Sequence, residues 1–121
     1  MSVDEAIMSA LSDILPVYPN KYTGELLEYI VFDYTVVPSV FADRAPRAAR
    51  YLVNIHHYLP EKEDPTEKRS TISHALFAAG FTWPYITNAS DDDGQHYVFE
   101  CEYVDGGDYY RPAEPSGPAS N

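Results

Sequence analysis

Residues 28–37 read EYIVFDYTVV and residues 50–58 read RYLVNIHHY. Both runs are dense in β-branched and aromatic residues, which suit a pleated, half-buried surface. In the first, Ile30, Phe32 and Tyr34 alternate with Tyr29, Val31, Asp33 and Thr35. In the second, Tyr51, Val53, Ile55 and His57 alternate with Leu52, Asn54, His56 and Tyr58. Successive side chains of a strand point to opposite faces, and we expect Ile30, Phe32, Val53 and Ile55 to point inward. The two runs predict a long hairpin. Pro38 is expected to end the first strand, and the stretch from Ser39 to Ala49 to form a connection.

Upstream, Ser2 and Glu5 have the spacing of a capping box. Ile7, Leu11 and Ile14 recur at helical spacing up to Pro16, which predicts a helix over Val3 to Leu15. Val17 and Tyr18 suit a short strand, before Pro19, Asn20 and Gly24 signal a loop. Downstream, Asp64, Pro65 and Glu67 predict a helix start with Asp64 as cap. Ile72, Leu76 and Ala79 follow on one face, and Gly80 is placed as a C-terminal cap with Phe81 folding back. Thr82 to Asn88, a turn through Ser90 to Gly94, and Gln95 to Val104 predict a second hairpin. Tyr97, Phe99, Cys101 and Tyr103 form its buried face.

The predicted class is therefore α+β, in the order α-(β)-β-β-α-β-β. Four to five mostly antiparallel strands carry both helices on one face. At 121 residues one domain is expected, over 1–104, with 105–121 read as a disordered tail rich in Gly, Pro and Ser.

The formal net charge is −11. Phosphate backbones need Lys and Arg partners, so direct nucleic-acid reading is disfavoured. A single cysteine, Cys101, excludes an internal disulfide and fits a reducing, cytoplasmic setting. No apolar run approaches the ~18 residues of a membrane span. The acidic N-terminus does not read as a signal peptide.

No catalytic constellation emerges. His56 and His57 are adjacent in a strand and face opposite ways, while His74 and His96 lie far off in sequence. A metal site needs converging ligands, so none is expected. Glu100 and Glu102 share a strand face without a visible pocket. Cys101 falls among aromatic residues and reads as a small core side chain. No phosphate-cradling glycine loop and no nucleophile elbow are present. The chain is read as a non-enzyme without cofactor. Arg44, Arg47 and Arg50 form a positive cluster in an otherwise acidic chain. Arginine bridges carboxylates well across interfaces.

VYPNKYTGELLEYIVFDY leads into the first long strand. RYLVNIHHY follows, then a helix ending LFAAGF and a last strand containing YVFECEYV. In this order of elements, over Val3 to Val104, the chain resembles the tail terminator family of long-tailed phages and prophages, also called tail completion or head–tail joining proteins. The resemblance rests on element order and phrasing, since the family has no catalytic motif.

The resemblance implies a structural virion protein made in the host cytoplasm and placed at the head–tail junction. Copies form a ring, commonly a hexamer, on the last ring of tail-tube protein. The ring ends tube growth and receives the head connector or stopper, and genome DNA passes through without specific binding. Phe41, Asp43, Arg44, Arg47 and Arg50 are the expected subunit or tube interface. Asp91, Asp92, Asp93, Glu100 and Glu102 are expected along an acidic lumen. The alternatives are another phage neck or head–tail connector protein, or an acidic DNA mimic that inhibits a nucleic-acid-binding protein.

Overall fold

The computed structural model describes residues 2–42 and 45–105, and of 39–42, 45–47 and 105 the backbone alone. The elements run α1 (Val3–Leu11), β1 (Val17–Pro19), β2 (Tyr29–Ala42), β3 (Ala45–Leu59), α2 (Thr66–Ala78), β4 (Tyr85–Asn88) and β5 (Gln95–Asp105). They build an α+β fold around a five-stranded sheet of order β1-β2-β3-β5-β4. All pairings are antiparallel except β1 with β2, which is parallel.

The capping box forms: Ser2 Oγ accepts from the Glu5 amide at 3.1 Å, and the Ser2 amide donates to Glu5 Oε1 at 2.8 Å. These bonds hold the Glu5 carboxyl below its usual range. α1 stops at Leu11, four residues earlier than the spacing predicts. The amides of Ile14 and Leu15 both turn back onto the Leu11 carbonyl, and a residue before proline is pushed out of helical geometry. The Pro16 carbonyl then accepts from the Ile30 amide at 2.8 Å, which starts the β1–β2 pairing.

The first hairpin is longer than predicted. β2 continues through Pro38 to Ala42, and β3 already begins at Ala45, so the expected connection over Ser39 to Ala49 is largely strand. Parity explains why Pro38 is tolerated. Ile30 donates toward β1, and Phe32 accepts there from the Asn20 amide. Pro38 shares their parity, so its missing N–H faces the same outer side. β1 ends opposite Phe32, so among the described residues that side has no strand at Pro38. Proline is acceptable on such an edge.

One face of the sheet carries the core. Ile30 and Phe32 of β2, Val53 and Ile55 of β3, and Phe99 and Cys101 of β5 are buried there. Ile7 and Leu11 of α1 join Ile72 and Leu76 of α2 in the same cluster. Both helices thus lie on one face, as predicted, and each fully buried large side chain stabilises by about 1.5–3 kcal/mol. Tyr34 donates to Asp4 Oδ1 at 2.5 Å, tying α1 to β2, and its hydroxyl is pushed up to about 12 mainly by that bond.

α2 begins one residue later than predicted. Pro65 occupies the cap position, and Asp64 still helps by accepting from the Thr66 amide at 3.0 Å. Gly80 (φ +99°) ends the turn, the Phe81 amide donates to the Leu76 carbonyl, and Phe81 is buried. β4 is shorter than predicted, beginning at Tyr85 just after Pro84. β5 passes the expected domain end by one residue. The remainder of the predicted tail lies outside the described residues.

Candidate functional site

The other face of the sheet, and its end near Tyr29 and Leu59, carries the polar and aromatic features. The register places Tyr29 opposite Tyr58 and Tyr58 opposite His96. Their rings stack across three strands, at 5.0 Å for Tyr29–Tyr58 and 4.2 Å for Tyr58–His96. The row continues through Tyr22 to Tyr18, with centroids 4.6 and 4.4 Å apart. Tyr22 arches over Gly24, where any Cβ would collide with its ring and hydroxyl.

Beside this row lies a hydrogen-bonded chain. Asp33 accepts from Asn54 Nδ2 at 2.9 Å, and its second oxygen lies 2.9 Å from His56 Nε2. His56 Nδ1 is 2.9 Å from His96 Nε2. The geometry suits His56 Nε2–H donating to Asp33 and His96 Nε2–H donating to His56 Nδ1. His96 is held below its ordinary value, first by burial and then by the neighbouring His56. Among the described residues no hydroxyl or thiol nucleophile is hydrogen-bonded to either ring. The arrangement locks the register of three strands on the open face.

His56 and His57 do face opposite ways. His57 is buried under α2, with Nε2 2.8 Å from Glu28 Oε2, and Lys68 Nζ lies 3.5 Å from the same oxygen. His74 stays exposed on α2, against its own helix and the edge of Trp83. His96, far off in sequence, is brought to His56 by the β3–β5 register. Among the described residues no group of three or more His, Cys, Asp or Glu is arranged to hold a metal ion.

A groove of about 520 Å3 opens at this end of the sheet. Leu26, Leu27, Tyr29 and Tyr58 give it apolar walls, and Glu61, Asp91 and Asp93 give it acid. Leu27 is 76% exposed, so this is open apolar surface. Among the described residues no lysine or arginine lines it. The Asp91–Gly94 turn is closed by Asp91 Oδ1 accepting from the Asp93 amide at 2.9 Å.

The predicted interface residues divide. Asp43 and Arg44 lie outside the described residues, as do the side chains of Phe41 and Arg47. Arg50 stands at the root of the extended ribbon, with Nε 3.3 Å from Glu102 Oε1. The predicted lumen residues also divide. Asp91, Asp92 and Asp93 sit in the β4–β5 turn, whereas Glu100 and Glu102 lie further along the outer face of β5. The turn acids and the strand acids do not form one patch. Sequence reading missed the groove and the histidine pair, because both depend on strand register and on a loop whose leucines give no periodic signal.

No family model matches the chain, and no curated protein matches it.

Proposed function

We propose that this protein is a structural subunit of a ring that caps a phage tail tube, ends its growth and joins it to the head connector. One observation carries the self-association part of this reading. β3 pairs with β5 only up to Ala49↔Asp105, and β1 flanks β2 only at Ile30 to Phe32. From residue 38 to residue 48 the β2–β3 ribbon has no strand beside it among the described residues. A two-stranded ribbon alone is marginal in water, and its free edges gain from a neighbour. An arm of this kind serves assembly rather than catalysis. The net charge of −11 supports passage of DNA past acidic side chains such as Glu100 and Asp91–Asp93 without retention. The virion tail location and the tail-tube and connector partners follow from the resemblance in element order.

Electron microscopy of purified tail tubes, with and without the full chain, tests this. Caps on tube ends and arrested elongation are the expected result. Tubes that lengthen unchanged, with no density at their ends, overturn the reading.

A further inference from the structure

The segments that wall the groove are each fixed by side-chain bonds. Gln95 holds the loop after β3: its amide nitrogen sits among the carbonyls of Pro60, Glu61 and Glu63, at 2.9, 3.2 and 2.6 Å, and Tyr97 donates to its Oε1 at 2.8 Å. The Tyr22 hydroxyl accepts from the Leu26 amide at 3.0 Å, which seats the leucine loop beside the aromatic row. The turn before β5 is closed by the Asp91–Gly94 bridge, and Ser90 Oγ accepts from the His96 amide at 3.0 Å. Walls held in this way leave Leu26 and Leu27 42% and 76% exposed. Apolar surface rimmed by polar groups marks a contact site, and a preformed site loses little conformational entropy on binding.

The charge of the rim selects the occupant. Residues 21–27, 60–63 and 91–94 carry Glu25, Glu61, Glu63, Asp91, Asp92 and Asp93 against Lys21 and Lys62. Glu61, Asp91 and Asp93 line the groove, whereas Lys21 and Lys62 are exposed and do not line it. The acid excess therefore survives a full count of the cations in these segments. A second copy, itself at −11, brings the same sign, while a cationic segment is drawn in. β3 and β5 lie inside the sheet, so the occupant is read by side chains and not by strand addition. At about 520 Å3 the groove has the size of a site for one compact ligand.

We infer that this groove docks a short arginine-bearing apolar segment of a partner protein. A leucine-like side chain packs on Leu26 and Leu27, and flanking arginines pair with Glu61, Asp91 and Asp93. Arginine suits these carboxylates better than lysine because its planar fork meets them bidentately. The inference rests on the groove alone and stands apart from the ring reading.

The test uses the full chain and two labelled, end-capped peptides of equal charge, Arg-Leu-Arg-Leu-Arg and Arg-Ser-Arg-Ser-Arg. Fluorescence anisotropy at about 0.15 M salt reads binding, and circular dichroism checks the fold of each variant. The leucine peptide should bind roughly tenfold tighter or more. Leu27→Ser should remove most of that difference while leaving the serine peptide unaffected. Glu61→Gln with Asp93→Asn should weaken both peptides. Asp91 is left in place because its side chain closes its turn.

Equal binding of the two peptides, or a leucine peptide indifferent to Leu27→Ser, means charge attraction alone and overturns the docking. Absence of binding at millimolar peptide overturns it as well. Self-association that is lost in Leu27→Ser, without peptide binding to the unaltered chain, would assign the groove to a second copy and also overturn it. The tube-capping assay with the unaltered chain decides the ring reading separately.

Discussion

Arg50 Nε lies 3.3 Å from Glu102 Oε1, on neighbouring antiparallel strands and one diagonal step from direct opposition. The pair joins the root of the arm to the outer face of β5. It links a residue expected at a subunit interface with one expected along a lumen, so neither is wholly free for that role. Both side chains are 45% exposed, and an exposed pair contributes ~0.2–1 kcal/mol.

A double-mutant cycle over Arg50→Ala and Glu102→Ala should therefore give a small coupling, falling further at high salt. Urea denaturation measures it. A coupling of several kcal/mol would mean that the pair is held by contacts beyond those described.

Phe99 is fully buried at the centre of the sheet, opposite Ile55 on β3 and Ile86 on β4. Phe99→Ala should cost about 3–5 kcal/mol, read from the denaturant midpoint. Val104→Ala on the same strand is 62% exposed at its position and should change stability little. Equal losses at the two positions would contradict the assigned faces.

His57 is buried, and burial holds its pKa below the ordinary 6.5. Glu28 at 2.8 Å opposes that shift, and Lys68 adds to it. The unfolded chain then takes up the proton at higher pH than the folded one. Stability should be steady above 6.5 and fall as pH drops below it, by up to about 1.4 kcal/mol per pH unit from this group. His57→Gln should flatten part of the slope between pH 7.5 and 5.5. The share from His96, depressed in the same direction, should remain. A slope of opposite sign would disprove the assignment of a neutral buried His57.

Burial pushes the Cys101 thiol up to about 12 from 9.0. The thiolate fraction near neutrality is then roughly a thousandfold below that of a free cysteine. A thiol reagent at pH 8 should leave the folded protein almost untouched and react at once in denaturant. Fast labelling of the native chain would show that β5 opens.

Gly80 holds φ +99°, while a Cβ there would meet only Tyr103 at an ordinary 3.8 Å. Gly80→Ala should therefore destabilise by ~1–2 kcal/mol through the backbone rather than through a clash. Thermal melting checks this, and an unchanged Tm would mean the turn relaxes at no cost.

The sequence by itself determined the class and order of elements, the capping box at Ser2, the stop at Gly80 and the alternation of every long strand, with both faces of β2 and β3 carrying apolar residues. Those features are local: periods of two and 3.6, and turn chemistry within a few residues. The parallel seat of β1, the extension of β2 through Pro38, and the approach of His96 to His56 were decided only in three dimensions. So were the Arg50–Glu102 pair and the acidic groove. Each depends on which strand lies beside which and in what register. A proline reads as a terminator until its missing N–H is known to face an empty edge. Two histidines forty positions apart become neighbours only because β5 enters the sheet beside β3.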